Sequence, residues 1–166
     1  KLMHVGEVMR QGAELPICAS GTPLLEVLRV MSDTPGRPGA ALIVDADGRL
    51  AGIFTDGDLR RTLAQIDDIK AARIADIMTR SPSTIGPDKL AVEAVQIMEE
   101  RKVNQLLVVG DEGRLVGALN MHDLFRAKES GTRIGIMKHG KLVAQHGTEE
   151  FGHADLERVY LEHMRD

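Results

Sequence analysis

Aromatic residues are scarce in this chain, and several features that would indicate particular functions are missing. The 166 residues include no tryptophan, one tyrosine and three phenylalanines, so valine, leucine, isoleucine, methionine and alanine must form the core. A single cysteine, Cys18, allows neither an internal disulfide nor a thiolate metal cluster, which favours a reducing, cytoplasmic setting. No apolar run approaches the ~20 residues that span a bilayer, and no signal peptide opens the chain. We therefore expect a cytoplasmic protein without a membrane partner.

An excess of basic residues is also missing. The chain has 21 lysines and arginines against 25 aspartates and glutamates, and the two signs are interspersed, which gives a formal net charge of -4. Binding to a phosphate backbone needs a basic patch or stripe. Nucleic acid is therefore not an expected partner.

Familiar catalytic and metal-binding patterns are missing as well. The histidines show no metal-ligand spacing, and there is no nucleophile elbow or P-loop. Carboxylates cluster in hairpin turns and in first helical turns, where they need no acid-base role. The sequence predicts no catalytic residue and no metal site. The six histidines are His4, His122, His139, His146, His153 and His163.

An internal repeat organises what is present. Residues 4–9 and 73–78 share one apolar pattern and precede a short β-prone segment, at 15–17 in the first copy and 83–85 in the second. Amphipathic helices are predicted from about residue 23 to 31 and from about 90 to 98. Each copy then reads as two strands joined by a tight glycine turn, followed by a helix. The expected fold class is α/β (α+β), with two tandem β-α-β-β-α repeats.

The repeat also gives the predicted boundaries. We expect the first repeat at 4–66, the second at 73–128, and an extension of unknown role at 129–166. The predicted strands are 40–44 and 49–54 in the first copy, and 106–109 and 114–119 in the second. The extension reads as a hairpin over 133–144 and a helix over 154–164.

One strand-to-helix junction carries the most specific signal in each copy. Thr55 follows an apolar strand and stands three residues before Asp58, and 65 residues later Asn120 and Asp123 occupy the same places. A helix start with a free hydroxyl can bind an anion, and a carboxylate can accept hydrogen bonds from ribose hydroxyls. The same spacing is also that of a capping box without any ligand. From the residues alone, both interpretations stay open; His122 could also reach a ligand phosphate.

Both junctions resemble the hallmark of CBS domain pairs, a glycine-led strand ending in G-x-x-T/S-x-x-D before a helix. Gly52–Asp58 and Gly117–Asp123 carry the resemblance, with Asn120 in place of the hydroxyl residue. The resemblance extends over about residues 4–127. More narrowly, residues 52–61, 103–109 and 117–127 resemble the regulatory C-terminus of arabinose-5-phosphate isomerases, which act on the pathway to the lipopolysaccharide sugar Kdo.

The resemblance implies a function for the chain. The repeats would form one pseudo-two-fold module that regulates an isomerase domain lying N-terminal to residue 1, so this chain would not catalyse the reaction. Such pairs commonly self-associate through their helices into dimers or larger assemblies. The implied regulatory ligand is an adenine or cytidine nucleotide or a nucleotide-sugar such as CMP-Kdo, without a further cofactor. The alternative is a structural module that holds subunits together and binds nothing.

The resemblance also implies ligand-binding residues in clefts between the repeats. In the first cleft, the strand-to-helix junction at Thr55 would meet the strand starts of the other repeat. In the second cleft, the junction at Asn120 would meet Gly39 and Ala40. We favour the first cleft for a phosphate, because Asn120 lacks a hydroxyl. The tail faintly resembles the C-terminal end of ABC-transporter ATPases, without any nucleotide motif. The ligand-binding residues implied are Thr55, Asp58, Thr84, Val103, Asn104, Gln105, Asn120 and Asp123.

Overall fold

The computed structural model describes residues 2–36 and 38–129. The predicted hairpin and helix of the extension, and four of the six histidines, lie outside the described residues. The helices are α1 (Val5–Val8), α2 (Leu24–Asp33), α3 (Asp56–Gln65), α4 (Ile74–Ile77), α5 (Ala91–Arg101) and α6 (Met121–Glu129). The strands are β1 (Ile17–Ala19), β2 (Ala40–Val44), β3 (Leu50–Thr55), β4 (Thr84–Ile85), β5 (Gln105–Val109) and β6 (Leu115–Asn120).

Both repeats have the predicted order of strands and helices. The first forms a three-stranded sheet in the order β1-β2-β3, and the second one in the order β4-β5-β6. In each sheet the first strand runs parallel to the second, which requires the long crossover through α2 or α5. In the first, β2 and β3 form an antiparallel hairpin in which Ala40 pairs with Thr55. The α/β fold class is confirmed.

The first strand lies two residues later than predicted. We expected 15–17, and β1 is Ile17–Ala19. Cys18 is the inward residue of this strand, whereas Ile17 is 42% exposed. Pro16 still extends the pairing, because its carbonyl accepts the Leu42 N–H at 2.8 Å although it has no N–H of its own to donate.

Each sheet packs against its own apolar cluster. In the first repeat Phe54 and Val27 are fully buried between the sheet and α2. In the second, Met98 and Leu119 occupy the corresponding core with Leu124 of α6.

Contacts divide the described chain into two units that do not follow the sequence repeat. Among the described residues, one unit contains 11–82 and 110–115, and the other contains 2–10, Ser83–Val109 and 116–129. The predicted boundaries at 4–66 and 73–128 follow the repeat instead.

The difference lies in the two lead-in segments, which are residues 4–9 and 73–78 together with the residue that follows each, Arg10 and Thr79. Arg10, just after α1, pairs with Ala118 of β6 through N···O distances of 2.8 and 3.1 Å. Thr79, just after α4, pairs with Ile53 of β3 through distances of 2.7 and 2.9 Å. Each lead-in therefore packs on the sheet of the repeat that it does not introduce.

The thiol of Cys18 gives a first prediction. Burial, and secondarily the charge of Glu26, raises the pKa of this thiol above its ordinary value. The thiolate is the reactive form, so an aromatic disulfide reagent at pH 8 should modify the folded chain at least about a hundredfold more slowly than the chain in denaturant. Because the unfolded thiol ionises first, near pH 8.5, stability should fall as the pH rises from there toward the raised pKa. Equal rates in the folded and unfolded chain would contradict this burial.

No helix among the described residues is long and apolar enough to cross a membrane.

Candidate functional site

The first corner is the junction of β3 and α3, where Thr55 is the N-cap. The Thr55 hydroxyl oxygen accepts a hydrogen bond from the Asp58 N–H at 3.2 Å, and Asp58 Oδ2 accepts one from the Thr55 N–H at 2.9 Å. These reciprocal bonds form the capping box that the spacing predicts. They fix the carboxylate of Asp58 beside the first turn of the helix.

Asp58 at this corner is buried and has several donors from its own unit of the chain. It is 4% exposed, and the Thr79 hydroxyl donates to it at 3.0 Å while Arg61 completes an ion pair. Thr55 is positioned by the end of β3, and Thr79 by the lead-in that pairs with the same strand. The carboxylate is thus satisfied without any ligand.

The second corner is the junction of β6 and α6, and it repeats the box with different chemistry. Asn120 Oδ1 accepts from the Asp123 N–H at 2.8 Å, and Asp123 Oδ2 accepts from the Asn120 N–H at 2.8 Å. Asp123 is 2% exposed, and its Oδ1 accepts a hydrogen bond from Arg126 Nη2 at 2.6 Å. An asparagine therefore performs the capping that a threonine performs at the first corner.

Arg10 is the main addition to the second corner. Its Nε donates to Asp123 Oδ2 at 3.1 Å, and its Nη2 lies 3.5 Å from Gln105 Oε1. The side chain of Arg10 is only 10% exposed. The second corner thus contains a buried guanidinium where the first has the Thr79 hydroxyl.

Comparison with known proteins identifies the repeats. The profile of the CBS domain matches residues 5–65 and 74–130. The chain belongs to the CBS domain family. Each of the two matched ranges contains one of the two corners.

The CBS repeats of this chain are similar to part of a group of isomerases. Over 126 residues, 76% of this chain, it is 45% identical to arabinose 5-phosphate isomerase KdsD of Pseudomonas aeruginosa and 37% identical to that of Escherichia coli K12. The chain spans 38% of the length of these relatives.

Solved structures share the fold of the CBS pair. CBSX2 of Arabidopsis thaliana, determined in complex with AMP, superimposes with a TM-score of 0.66 at 22% identity, over 79% of this chain and 99% of that one. The CBS domain pair of protein MJ0100, in complex with 5'-methylthioadenosine and S-adenosyl-L-methionine, gives a TM-score of 0.66 at 24% identity, with the same coverage. These likenesses establish the architecture.

The structure places the predicted residues within their own CBS repeats. Gly39 and Ala40 lie at the first corner, since the Asp56 N–H donates to the Gly39 carbonyl at 3.1 Å and Ala40 pairs with Thr55. The sequence grouped them instead with Asn120 and Asp123. Gln105 lies at the second corner through Arg10, whereas the sequence grouped it with Thr55. The groupings across the two repeats stay predictions.

Three further predicted residues lie away from the corners' hydrogen bonds. Thr84 and Asn104 are exposed, and Val103 is half-buried beyond the end of α5. Thr84 lines a groove of about 450 Å³ in the second CBS repeat. His122 is exposed in the first turn of α6. The other residues of the groove are Ile85, Gly86, Lys89, Glu93, Ile97 and Val109.

Arg10 and Thr79 are the residues that sequence reasoning missed. They lie 113 and 21 positions from the aspartates to which they donate, so no local motif contains both partners. A signal was nevertheless available, because each directly follows the methionine that closes a lead-in, at Met9 and Met78. Within the described residues, no group of three or more histidine, cysteine or acidic side chains could hold a metal ion.

Proposed function

We propose that this chain is the ligand-sensing regulatory part of an arabinose-5-phosphate isomerase and does not itself carry the isomerase activity. Its similarity to these enzymes is confined to two CBS repeats that span 38% of their length. The isomerase activity would belong to the remainder, an isomerase domain that this module biases. The parent enzyme would then serve the synthesis of a lipopolysaccharide sugar.

The ligand we propose is an adenine or cytidine nucleotide, or a nucleotide-sugar such as CMP-Kdo. The observation that carries this proposal is the repeated corner, at which a helix start and a fixed carboxylate occur together in both CBS repeats. Helix starts favour phosphate, and carboxylates accept hydrogen bonds from vicinal hydroxyls. Two proteins of the same fold, CBSX2 and the CBS pair of MJ0100, hold AMP and S-adenosyl-L-methionine respectively.

We propose that a ribose is accommodated at the first corner. Asp58 has about four lone-pair positions, and Thr55, Thr79 and Arg61 supply donors to them. Arg61 is the exchangeable partner, because its side chain is 65% exposed and returns to water at little cost. Ribose hydroxyls would take its place on the carboxylate.

Titration with AMP, ATP and CMP-Kdo tests the proposal. A ligand present at a hundredfold excess over its dissociation constant stabilises the folded state by about 2.7 kcal/mol. For a domain of this size, that gain should raise the melting temperature by about 5–10 °C. Calorimetry on the same samples would give the stoichiometry and affinity.

The variants for this test must leave the fold intact. Asp58→Ala would lower the melting temperature by itself, since it removes a buried cap. Asn104→Ala and Thr84→Ala change exposed side chains, so their unliganded melting temperatures should match the parent chain. Loss of the ligand-induced shift in these variants supports binding at the predicted residues. An unchanged melting temperature with every nucleotide would reject sensing by the parent chain.

The rival function is a structural module that holds isomerase subunits together. Leu25 of α2 and Leu63 of α3 favour it, since they are 48% and 57% exposed. That role predicts no ligand-induced shift, together with a change of oligomeric state in sedimentation when either leucine is replaced by glutamate. Self-association through CBS helices is compatible with both functions, so the ligand titration decides between them.

A further inference from the structure

The two corners differ in charge because of one residue outside their motifs. Residues 56–61 and the equivalent residues 121–126 each contain as many basic as acidic side chains. The residue that the lead-in contributes is Thr79 at the first corner and Arg10 at the second. The second corner therefore has one more positive charge than the first.

The guanidinium of Arg10 is buried but not fully engaged. Arg10 is 8% exposed overall. Its Nε is bonded to Asp123, and its Nη2 makes a contact of 3.5 Å with Gln105, at the long limit of a hydrogen bond. Its Nη1 donates to no acceptor among the described residues. Because no buried side-chain nitrogen or oxygen there lacks a partner, Nη1 reaches solvent.

This open donor lies at a helix start. Asp123 Oδ2 accepts both the Arg10 Nε–H and the Asn120 N–H, which places the guanidinium beside the first turn of α6. Helix starts attract anions, and arginine binds phosphate through paired, charge-assisted hydrogen bonds. At the first corner the corresponding helix begins with Asp56, whose carboxylate repels an anion, whereas α6 begins with Met121.

We propose that Arg10 is the specificity-determining residue of the second corner and selects a ligand with a phosphate group. The proposal rests on the nucleotide-sensing function above and names the corner and the chemical group it recognises. A charge-assisted bond from a guanidinium is stronger than one from a neutral hydroxyl. At the second corner, the hydrogen bond from Arg10 therefore contributes more to phosphate binding than the hydroxyl that Asn120 lacks would contribute. The phosphate accordingly belongs at the second corner rather than the first.

Calorimetry with AMP, adenosine and inorganic phosphate tests this assignment. The parent chain should bind AMP about ten- to a hundredfold more tightly than adenosine, the range for a lost charged hydrogen bond. Arg10→Met should remove that difference by weakening AMP and leaving adenosine unchanged. Arg101→Met, an equal change of charge at an exposed position on α5, should bind both like the parent. Inorganic phosphate alone, if it binds as tightly as AMP, would identify free phosphate as the ligand.

A second variant separates recognition from folding. Arg10→Lys keeps the charge, so it should retain part of the preference for AMP even if Arg10→Met fails to fold. In the parent chain, the ¹⁵N–¹H signal of Arg10 Nε, assigned by its loss in Arg10→Lys, should move on addition of AMP and stay in place with adenosine. A structural role alone would move this signal equally with both ligands.

The outcomes separate this proposal from the function on which it rests. If nucleotides bind but the preference for AMP survives Arg10→Met, the assignment of Arg10 is wrong and the sensing function stands. If AMP and adenosine bind equally to the parent chain, the proposal that the second corner recognises a phosphate is wrong, and the sensing function again stands. If no nucleotide binds, the sensing function and this assignment fall together.

Discussion

Replacing Asp123 with asparagine should destabilise the second CBS repeat by about 3–5 kcal/mol, the cost of removing one partner of a buried ion pair. Asp123 is 2% exposed, and the Arg10 side chain that it pairs with is 10% exposed. The neutral amide leaves the largely buried guanidinium of Arg10 without its counter-charge. The second guanidinium, of Arg126, is 53% exposed and returns to solvent.

The equivalent change at the first corner is the matched control. Asp58→Asn removes a carboxylate of similar burial, but its lead-in partner is the neutral Thr79 hydroxyl, and Arg61 is largely in water. We expect about 1–2 kcal/mol, the range for a lost cap and its hydrogen bonds. The difference between the two corners isolates the buried charge.

Urea denaturation of both variants measures this difference. The double variant Arg10→Met with Asp123→Asn should recover part of the loss, because it removes the stranded charge together with its partner. If Asp58→Asn and Asp123→Asn destabilise the chain equally, or if the two changes in the double variant are additive, the buried ion pair between Arg10 and Asp123 contributes no additional free energy of folding.

The sequence predicted the features that are local in the chain. Thr55 and Asp58 stand three residues apart, so their box could be recognised from the spacing alone, and its copy at Asn120 and Asp123 followed from the repeat. The strand Ala40–Val44 was predicted to the residue, because a glycine turn limits the hairpin at one end.

The contacts that the sequence did not reveal are distant in the chain or depend on helix phase. Arg10 reaches Asp123 across 113 residues, and only the fold of the lead-in brings them together. On α3, Leu59 and Leu63 are four residues apart, the spacing of one helical face, yet Leu63 is 57% exposed and Thr62 is buried. The cap at Thr55 fixes the helix phase, and the Thr62 hydroxyl then donates to the Asp58 carbonyl at 2.8 Å.

The glycines that open the two motifs have a structural explanation in the lead-ins. A Cβ at Gly52 would lie 2.7 Å from the carbonyl oxygen of Thr79, and one at Gly117 would lie 2.9 Å from that of Arg10. These same carbonyls accept the bridging N–H groups of Ile53 and Ala118. An added methyl group must therefore push the lead-in backbone off the strand.

Gly52→Ala and Gly117→Ala should each destabilise the chain by about 2–3 kcal/mol, as overpacking against immobile backbone does. Gly21→Ala and Gly86→Ala are the matched controls in the two units, since nothing lies within 4 Å of an added Cβ at either position; each should stay within about 0.5 kcal/mol. Hydrogen exchange at the Arg10 amide should accelerate in Gly117→Ala more than exchange in β5. If the Arg10 amide stays protected while stability falls, the lost stability comes from elsewhere in the repeat. Contact with the lead-in would then not be the reason for glycine at position 117. If the amide stays protected and stability is unchanged, the lead-in accommodates the added methyl group at Gly117 without loss of free energy. The glycine of the motif would then be required by the ligand-binding corner that follows it, not by the lead-in.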